Sequence, residues 1–412
     1  MANVSWTIKL YDKDGVGITA ADMTPSATVS NTIKHAFERK LTFNLNGLDE
    51  CEFKLYLHDP MAFNINRLST YIKVWRTIVD DTGVAVYSDP SDVPCFAGIV
   101  VNTNKDGEAN VLSLKAFSPF WRLQCRFHIL NHYLKTDVLT SALYVQSGLM
   151  WKLIDLVNNA FGLDNSNTGI VNGTHAGIND PTVAPFFVAK GSNTWNNIFE
   201  TIMARPGGVD IIPEYVHVDS DPTLMNFNTD EKRGADISAT MDFRYHTGTT
   251  DNCYNLIEEE LPVPNEFANY LWAVGQGGPN SGKIALEENI NDDADGYQSI
   301  GIFMRRADFQ DIKLIGLAGP PPTHLKAIAQ SEFAQSRVPK TNYSVTVSPV
   351  SNIYYQNDFT VGDVVMLNAN KGALVVTNIK QRIYETQLMM SENNIEVPQL
   401  TIAKDFTGKV AT

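Results

Sequence analysis

The sequence has little charge, few cysteines and no long apolar run. Charged residues make up 19% of its 412 residues, below the roughly 25% of typical soluble domains, which indicates that partners cover part of the surface. The four cysteines have no C-x-x-C spacing, so a zinc or thioredoxin-type site has no local support. No stretch reaches the roughly 18 apolar residues of a membrane-spanning helix, and the N-terminus does not resemble a signal peptide. We therefore expect a chain that is made in a cytoplasm and has no membrane-spanning segment.

A basic surface is also missing. The formal net charge is −14, whereas a protein that grips nucleic acid needs clustered Lys and Arg to displace counterions. The acidic balance is compatible with a surface along which DNA slides without being held. What the chain does have is apolar content, with 43% hydrophobic and 10% aromatic residues. The length and this content predict two to four domains with sizeable cores.

Residues 1–118 have the alternating pattern of β-strands almost throughout. The pattern begins with "WTIKLY", in which Trp6, Ile8 and Leu10 share one face. Similar runs follow at short spacing, separated by turn sequences such as "KDG" and "NGLD". Period-two runs with such turns indicate an antiparallel barrel or sandwich.

The period then changes within 119–206. Ser147 and Ser192 can each cap a helix, because apolar residues recur after them at helical spacing. Strand patterns return at "VDIIPEYVHV" (209–218) and again near the end of the chain, after a further predicted helix that begins at Thr323. The order β, mixed, β, mixed, β predicts two β domains, each interrupted or followed by an α/β insertion.

The segment "GGPNSGKI" (277–284) nearly matches a phosphate-binding loop. The G-x-x-x-x-G-K pattern is complete, but Ile284 stands where a Ser or Thr should hold magnesium. Pro279 removes a backbone N–H that the loop would use, and no helical apolar stripe follows. Gly, Pro and Asn are ordinary turn residues, so we interpret the segment as a hairpin turn.

The acidic segment "NDDADG" (291–296) resembles the start of a calcium loop, with oxygen ligands at positions 1, 3 and 5 and glycine at position 6. Position 12 is Ile302, where such a loop needs a bidentate Glu. A solvated loop is the simpler interpretation. Whether this segment binds calcium stays open at the level of sequence.

No set of residues matches a catalytic site. His128 and His132 have i, i+4 spacing, but no Glu lies between them, so the zinc-protease pattern fails. Glu258–Glu260 are three consecutive acids, which cannot all face one site on a strand. There is no G-x-S-x-G. We therefore predict that the protein is not an enzyme and has no catalytic, cofactor-binding or metal-binding residues and no cofactor.

Three longer stretches resemble the tail hub proteins of long-tailed bacteriophages, also called baseplate-hub, tail-tip or tail-associated minor tail proteins. The first is "FKLYLHDPMAFNINRLSTYIKVWR" (53–76), a strand, an Asp-Pro and a second strand of the I-K-V-W-R type. The second is "CFAGIVVNTNKDGEANVLSLKAFSPFWRLQCR" (95–126) and the third is "YQNDFTVGDVVML" (355–367). Each motif is short and degenerate, but their order and spacing span nearly the whole chain.

The resemblance implies a mainly β fold with two tube-type antiparallel β-barrels and two mixed α+β insertions. The implied domains are listed in chain order: first barrel 1–118, first insertion 119–206, second barrel 207–255 and 330–412, second insertion 256–329. It further implies a homotrimer that forms a pseudo-sixfold ring, continues and closes the tail tube at the virion tail tip, and lets phage DNA pass at infection without specific binding. Implied partners are the distal tail protein or last tail-tube ring, the C-terminus of the tape measure protein, and other minor tail or fibre proteins.

Two alternatives stay open. One is a peripheral minor tail or receptor-binding component without the ring role. The other is an enzyme that acts on nucleotides or cell-wall glycans, which the missing Ser or Thr after Lys283 and the lack of spaced carboxylates disfavour. The chain sequence ends at Thr412 with no recognisable lysozyme, peptidase or fibre segment, so wall digestion and receptor binding are expected to come from other proteins.

Overall fold

The structure of the chain is a computed structural model. The described residues are 3–18, 31–80, 82–125, 132–134, 169–175, 186–188, 210–219, 221–230, 233–248, 250–260, 270–276, 286–291, 304–313, 341–391 and 394–403. The helices predicted after Ser147, Ser192 and Thr323 lie outside these residues. In the described part, no helix is long and apolar enough to cross a membrane.

The described residues of the N-terminal region form eight strands, in keeping with the alternating pattern of 1–118. They are β1 Asn3–Tyr11, β2 Thr32–Ile33, β3 Phe37–Asn44, β4 Glu50–Tyr56, β5 Tyr71–Val79, β6 Ala85–Ser88, β7 Phe96–Asp106 and β8 Val111–Phe117. A 3-10 helix, Pro60–Asn64, lies between β4 and β5, and α1, Phe120–Gln124, follows β8. The Asp59 side chain caps the 3-10 helix by accepting the N–H of Met61 at 2.9 Å. Asp59 and Pro60 are the Asp-Pro pair of segment 53–76, one of the three stretches that resemble tail hub proteins.

The described residues in the middle of the chain contribute ten strands. They are β9 His132–Leu134, β10 Ile170–His175, β11 Phe186–Val188, β12 Asp210–Tyr215, β13 Met225–Asp230, β14 Asp242–Tyr245, β15 Cys253–Glu260, β16 Tyr270–Gln276, β17 Leu286–Asn291 and β18 Met304–Lys313. The last four strands are β19 Thr341–Val347, β20 Val364–Lys371, β21 Leu374–Met390 and β22 Glu396–Ala403. Among the described residues, 14 of these strands form one large sheet, and the rest form three small sheets. The predicted mainly β fold is confirmed.

The large sheet contains the same five-stranded unit twice. In the first unit the strands lie in the order β3-β4-β8-β7-β5, and in the second in the order β15-β19-β22-β21-β20. If the strands of each unit are lettered A to E along the chain, both sheets have the order A-B-E-D-C, and every neighbouring pair is antiparallel. We call these the first and second units.

The two units also share fine detail on strand D. Ile99 of β7 pairs with Tyr71 and Phe117, and the pairing with β8 shifts between Val100 and Asn102. Arg382 of β21 likewise pairs with Val364 and Ala403, and the pairing with β22 shifts between Ile383 and Glu385. A β-bulge of this kind bends a strand and increases its twist. The two units therefore bend at equivalent positions. The domain boundaries drawn from the sequence stay predictions.

Candidate assembly surfaces

The two units are joined edge to edge within the chain. The C-terminal half of β21 pairs antiparallel with β3, from Glu385 opposite Asn44 to Met390 opposite Arg39. Leu388 lies opposite Leu41 in this pairing, and both side chains are fully buried. The strand β21 has 17 residues. Its first half pairs with β20, which is strand C of the second unit, and its second half pairs with β3, which is strand A of the first unit. We call this pairing the intrachain junction.

A buried ion pair links the two units near this junction. Arg76 lies on β5, and Glu396 begins β22; the exposed fractions of their side chains are 0% and 1%. The Nε of Arg76 donates to Glu396 Oε2 at 2.7 Å, and its Nη2 donates to Oε1 of the same carboxylate. The Nε1 of Trp6 on β1 donates to Glu396 Oε2 at 2.9 Å, and Nη1 of Arg76 donates to the carbonyl of Tyr355 at 2.6 Å. Each of these polar groups thus has a hydrogen-bond partner within the protein.

The pKa of Arg76 reflects this environment. Burial alone lowers it, but the charge and hydrogen bonds of Glu396 outweigh burial, so the pKa of Arg76 lies above its ordinary value. A buried pair of this kind contributes less through net stability than through specificity, because desolvation offsets much of the attraction. Losing one partner is much more damaging, since it leaves an uncompensated charge in the core.

A second buried pair ties β21 to β12. Nη2 of Arg382 donates to Asp210 Oδ2, and its Nε donates to the carbonyl of Gly362 at 3.0 Å. Asp210 also accepts the backbone N–H of Arg233 at 2.8 Å and the side-chain amide of Asn46, from the turn after β3, at 2.8 Å. One carboxylate therefore holds residues from both units and from the segment between them.

Two of the strand edges that are unpaired within the described part of the chain belong to strand D of the first unit and strand A of the second. Residues Asn102–Asp106 of β7 pair with β8 on one side only, and β15 pairs with β19 on one side only. On β7, Asn102, Asn104, Lys105 and Asp106 are exposed. On β15, the side chains of Tyr254 and Ile257 are 57% and 52% exposed. Open edges with exposed side chains are sites at which another strand can pair.

The structure places the sequence-derived candidates apart from one another. Segment 277–284 lies outside the described residues, but β16 before it and β17 after it pair antiparallel, from Gly275 opposite Leu286. A strand therefore stands where a phosphate loop requires a helix. Of the acidic segment 291–296, only Asn291 is described, as the last residue of β17.

His132 lies in β9, and His128 is outside the described residues. Glu258–Glu260 end β15 at the open edge, where Glu258 and Glu259 are exposed. Among the residues that the structure describes, no group of three or more His, Cys, Asp or Glu side chains is placed to hold a metal ion. The residues that matter most here, Arg76, Glu396, Asp210 and Arg382, were not predicted as functional from the sequence.

Comparison with known proteins identifies the fold. No protein-family model matches the sequence, and no curated protein matches it. Solved structures do match. The tail protein from Neisseria meningitidis MC58 has a TM-score of 0.55 and 12% identity, and the alignment covers 98% of each chain. Prophage tail protein gp18 from Listeria monocytogenes EGD-e has a TM-score of 0.52 and 11% identity over 97% of this chain and 94% of that one.

A third match is the 43 kDa tail protein of prophage MuSo2 from Shewanella oneidensis, with a TM-score of 0.50, 9% identity, and coverage of 98% of this chain and 99% of that one. The alignments run through nearly the whole length of all these chains. The chain therefore has the fold of phage tail proteins, and the resemblance drawn from short motifs is confirmed at the level of fold.

Proposed function

We propose that this protein is a structural component of a phage tail tip, where three copies form a ring of six β units that continues and closes the tail tube. The observation that carries the proposal is the repeated five-stranded unit, joined edge to edge within one chain. Heterologous contacts of this kind generate closed rings when their rotation closes. The fold shared with tail proteins over the whole chain supports the same role.

The ring lets DNA pass at infection rather than binding it. The net charge of −14 supports this, because an acidic wall repels the phosphate backbone along the whole path. The protein has no catalytic role in this proposal. Its partners are a second and third copy, the distal tail protein or last tube ring, the end of the tape measure protein, and other minor tail or fibre proteins. It acts in the virion after synthesis in the host cytoplasm.

Light scattering on the purified chain, with negative-stain images of the same fraction, tests the proposal. One chain has a mass of 45.7 kDa, and we expect a species of three times that mass with a central hole. A stable dimer without a hole would contradict the ring. A monomer at every concentration would favour a peripheral or receptor-binding tail component instead. A nucleotide-binding assay with a Lys283→Ala control then tests the enzymatic alternative, and we expect no binding by either chain.

A further inference from the structure

We propose that the open edge of β7 in one copy pairs antiparallel with β15 of the next copy, with Lys105 directly opposite Glu258. This inference rests on the proposed ring and names the residues that close it. The chain supplies its own template, because the intrachain junction joins the same two elements, strand D of one unit and strand A of the other. In the second unit strand D is β21, and in the first unit it is β7.

Equivalent backbone bonds show that the two D strands match residue by residue. Val100 of β7 accepts the N–H of Leu68 at 2.8 Å and donates to the carbonyl of Thr70 at 3.0 Å. Ile383 of β21 accepts the N–H of Gly362 at 2.9 Å and donates to the carbonyl of Asp363 at 2.9 Å. Both D strands thus pair with the segment leading into strand C and bulge immediately afterwards.

Beyond the bulge the two strands differ in what covers them. Residues Glu385–Met390 of β21 are covered by β3, and Thr386, Leu388 and Met390 are buried. The equivalent residues of β7 begin at Asn102. Lys105 is the equivalent of Leu388, and its side chain is exposed. The difference arises because β21 has β3 beside this half of the strand. Within the described residues, no strand takes the equivalent place beside β7.

The A strands match in the same way. In the first unit, Leu41 of β3 lies opposite Cys51 of β4, which pairs with Ala116 of β8. In the second unit, Glu258 of β15 lies opposite Tyr343 of β19, which pairs with Ile402 of β22. Glu258 therefore takes the position of Leu41. Since Leu41 pairs with Leu388, transferring the register places Glu258 opposite Lys105 and Glu259 opposite Asn104.

The side chains at this edge are complementary in charge. Where the intrachain junction has two buried leucines, the intermolecular one has a lysine opposite a glutamate. Opposite charges directly across an antiparallel pair stabilise it, and like charges destabilise it. The carboxylate of Asp106 accepts the N–H groups of Glu108 and Ala109 at 3.0 Å each, so it is engaged within its own hairpin turn.

The template also defines the kind of contact between copies. The contact is heterologous, since β7 of one copy meets β15 of the next, and each copy therefore keeps one edge of each kind for its neighbours. If the junctions within and between chains are alike, the two units of each of the three chains in the proposed ring lie around one axis. Three chains then use all three copies of these two edges.

A charge swap tests the pairing. We expect Lys105→Glu alone and Glu258→Lys alone each to raise the dissociation constant of the trimer about tenfold or more, and the double variant to restore it to the wild-type value. Lys13→Glu, in an exposed turn that belongs to neither edge, is the matched control and should leave the trimer intact. Thermal unfolding followed by circular dichroism shows whether each variant still folds.

Cross-linking separates failure of the pairing from failure of the ring. Cys125 is exposed, so Lys105→Cys and Glu258→Cys are combined with Cys125→Ser and oxidised. A ladder that ends at three chains, and that is absent from each single-cysteine variant, supports the pairing. A trimer by light scattering that gives no ladder and does not respond to the charge variants overturns the pairing but leaves the ring standing. A monomer that gives no ladder up to its solubility limit overturns both.

Discussion

At the scale of single residues, a buried carboxylate links the two units. Glu396 of the second unit accepts hydrogen bonds from β5 of the first unit and from β1, which pairs with β5. A hydrophobic contact tolerates sliding, whereas a bidentate pair of a guanidinium and a carboxylate does not. The pair thus specifies one arrangement of the units out of the many that apolar surfaces would allow.

We predict that Glu396→Gln lowers the free energy of unfolding by about 3–5 kcal/mol, because it leaves the guanidinium of Arg76 buried without a counter-charge. The double variant Arg76→Met with Glu396→Leu should be less destabilised than Glu396→Gln, since it removes both charges. Urea unfolding measures the three values, and Asp14→Asn in an exposed pair serves as the neutral control. A double variant that is worse than the single one would contradict this account.

Asp49 predicts a pH dependence. Its side chain is buried and accepts the hydroxyl of Tyr215 at 2.5 Å and the N–H of Asn44 at 2.7 Å. Burial raises the pKa of Asp49 from 3.8 to about 6, against the opposing effects of Arg233 and these hydrogen bonds. Because the folded state takes up this proton at higher pH than the unfolded state, the contribution of Asp49 to stability is present below pH 4 and is lost as the pH rises through 6.

Between pH 7 and pH 5 this carboxyl should therefore add about 1 kcal/mol to the free energy of unfolding. Asp49→Asn should remove that increase while leaving the response of every other group. The measurement is the difference in unfolding free energy between wild type and variant at several pH values. A difference that does not change from pH 5 to pH 7 would show that Asp49 does not titrate in this range.

At the scale of elements, the "VGD" before β20 has a definite structural role. Gly362 has φ +99°, and a Cβ there would lie 2.4 Å from the carbonyl oxygen of Arg233. Gly234 faces it with φ +85°, and its Cβ would lie 2.3 Å from the carbonyl carbon of Gly362. Asp363 accepts the N–H of Ala235 at 2.7 Å. The motif therefore allows two backbone segments to approach more closely than side chains would permit.

We expect Gly234→Ala to cost at least about 2 kcal/mol in unfolding free energy, since it combines an unfavourable φ with a backbone clash. The matched control is Gly372→Ala in the turn between β20 and β21. That residue has φ +62° and open space around its Cβ position, so its cost should stay at about 1 kcal/mol. Equal costs for both variants, measured by urea unfolding, would show that the close approach is not what matters.

The sequence predicts strands far better than it predicts their partners. Alternation identifies β1, β4 and β8, because each has one face in the core. Alternation cannot show that β21 pairs with strands of both units. It reports which face of a strand is buried, whereas pairing takes place through the backbone groups at the strand edges. Arg76 carried one unused signal: a charged residue within "YIKVWRTIV", whose other residues are almost all buried, indicates a buried partner elsewhere in the chain.

At the scale of the whole molecule, the first unit depends on the second. Without residues that follow 125, the edge of β3 would lose β21, and Arg76 would lose Glu396. The domain that the sequence outlines as 1–118 is therefore not expected to be an independent folding unit. This follows from the shared sheet, which a boundary drawn from strand patterns does not reveal.

We predict that a fragment of residues 1–125 does not fold stably on its own. The check is its amide NMR spectrum and its thermal unfolding, with the full chain under the same conditions as the reference. A narrow, poorly dispersed spectrum without a cooperative transition is the expected outcome. A dispersed spectrum and a sharp transition would show that the first unit is self-sufficient and that the junction only docks two finished domains.

The separation of Arg76 and Glu396 along the chain also affects how the protein is made. The two residues are 320 positions apart, and a ribosome adds about 5–20 residues per second. Between the appearance of Arg76 and that of its carboxylate, the nascent chain thus spends on the order of 15–60 seconds. During that interval β3 has an open edge and Arg76 has no counter-charge, so the first half cannot complete its core. The native sheet can close only after β21 and β22 have left the ribosome.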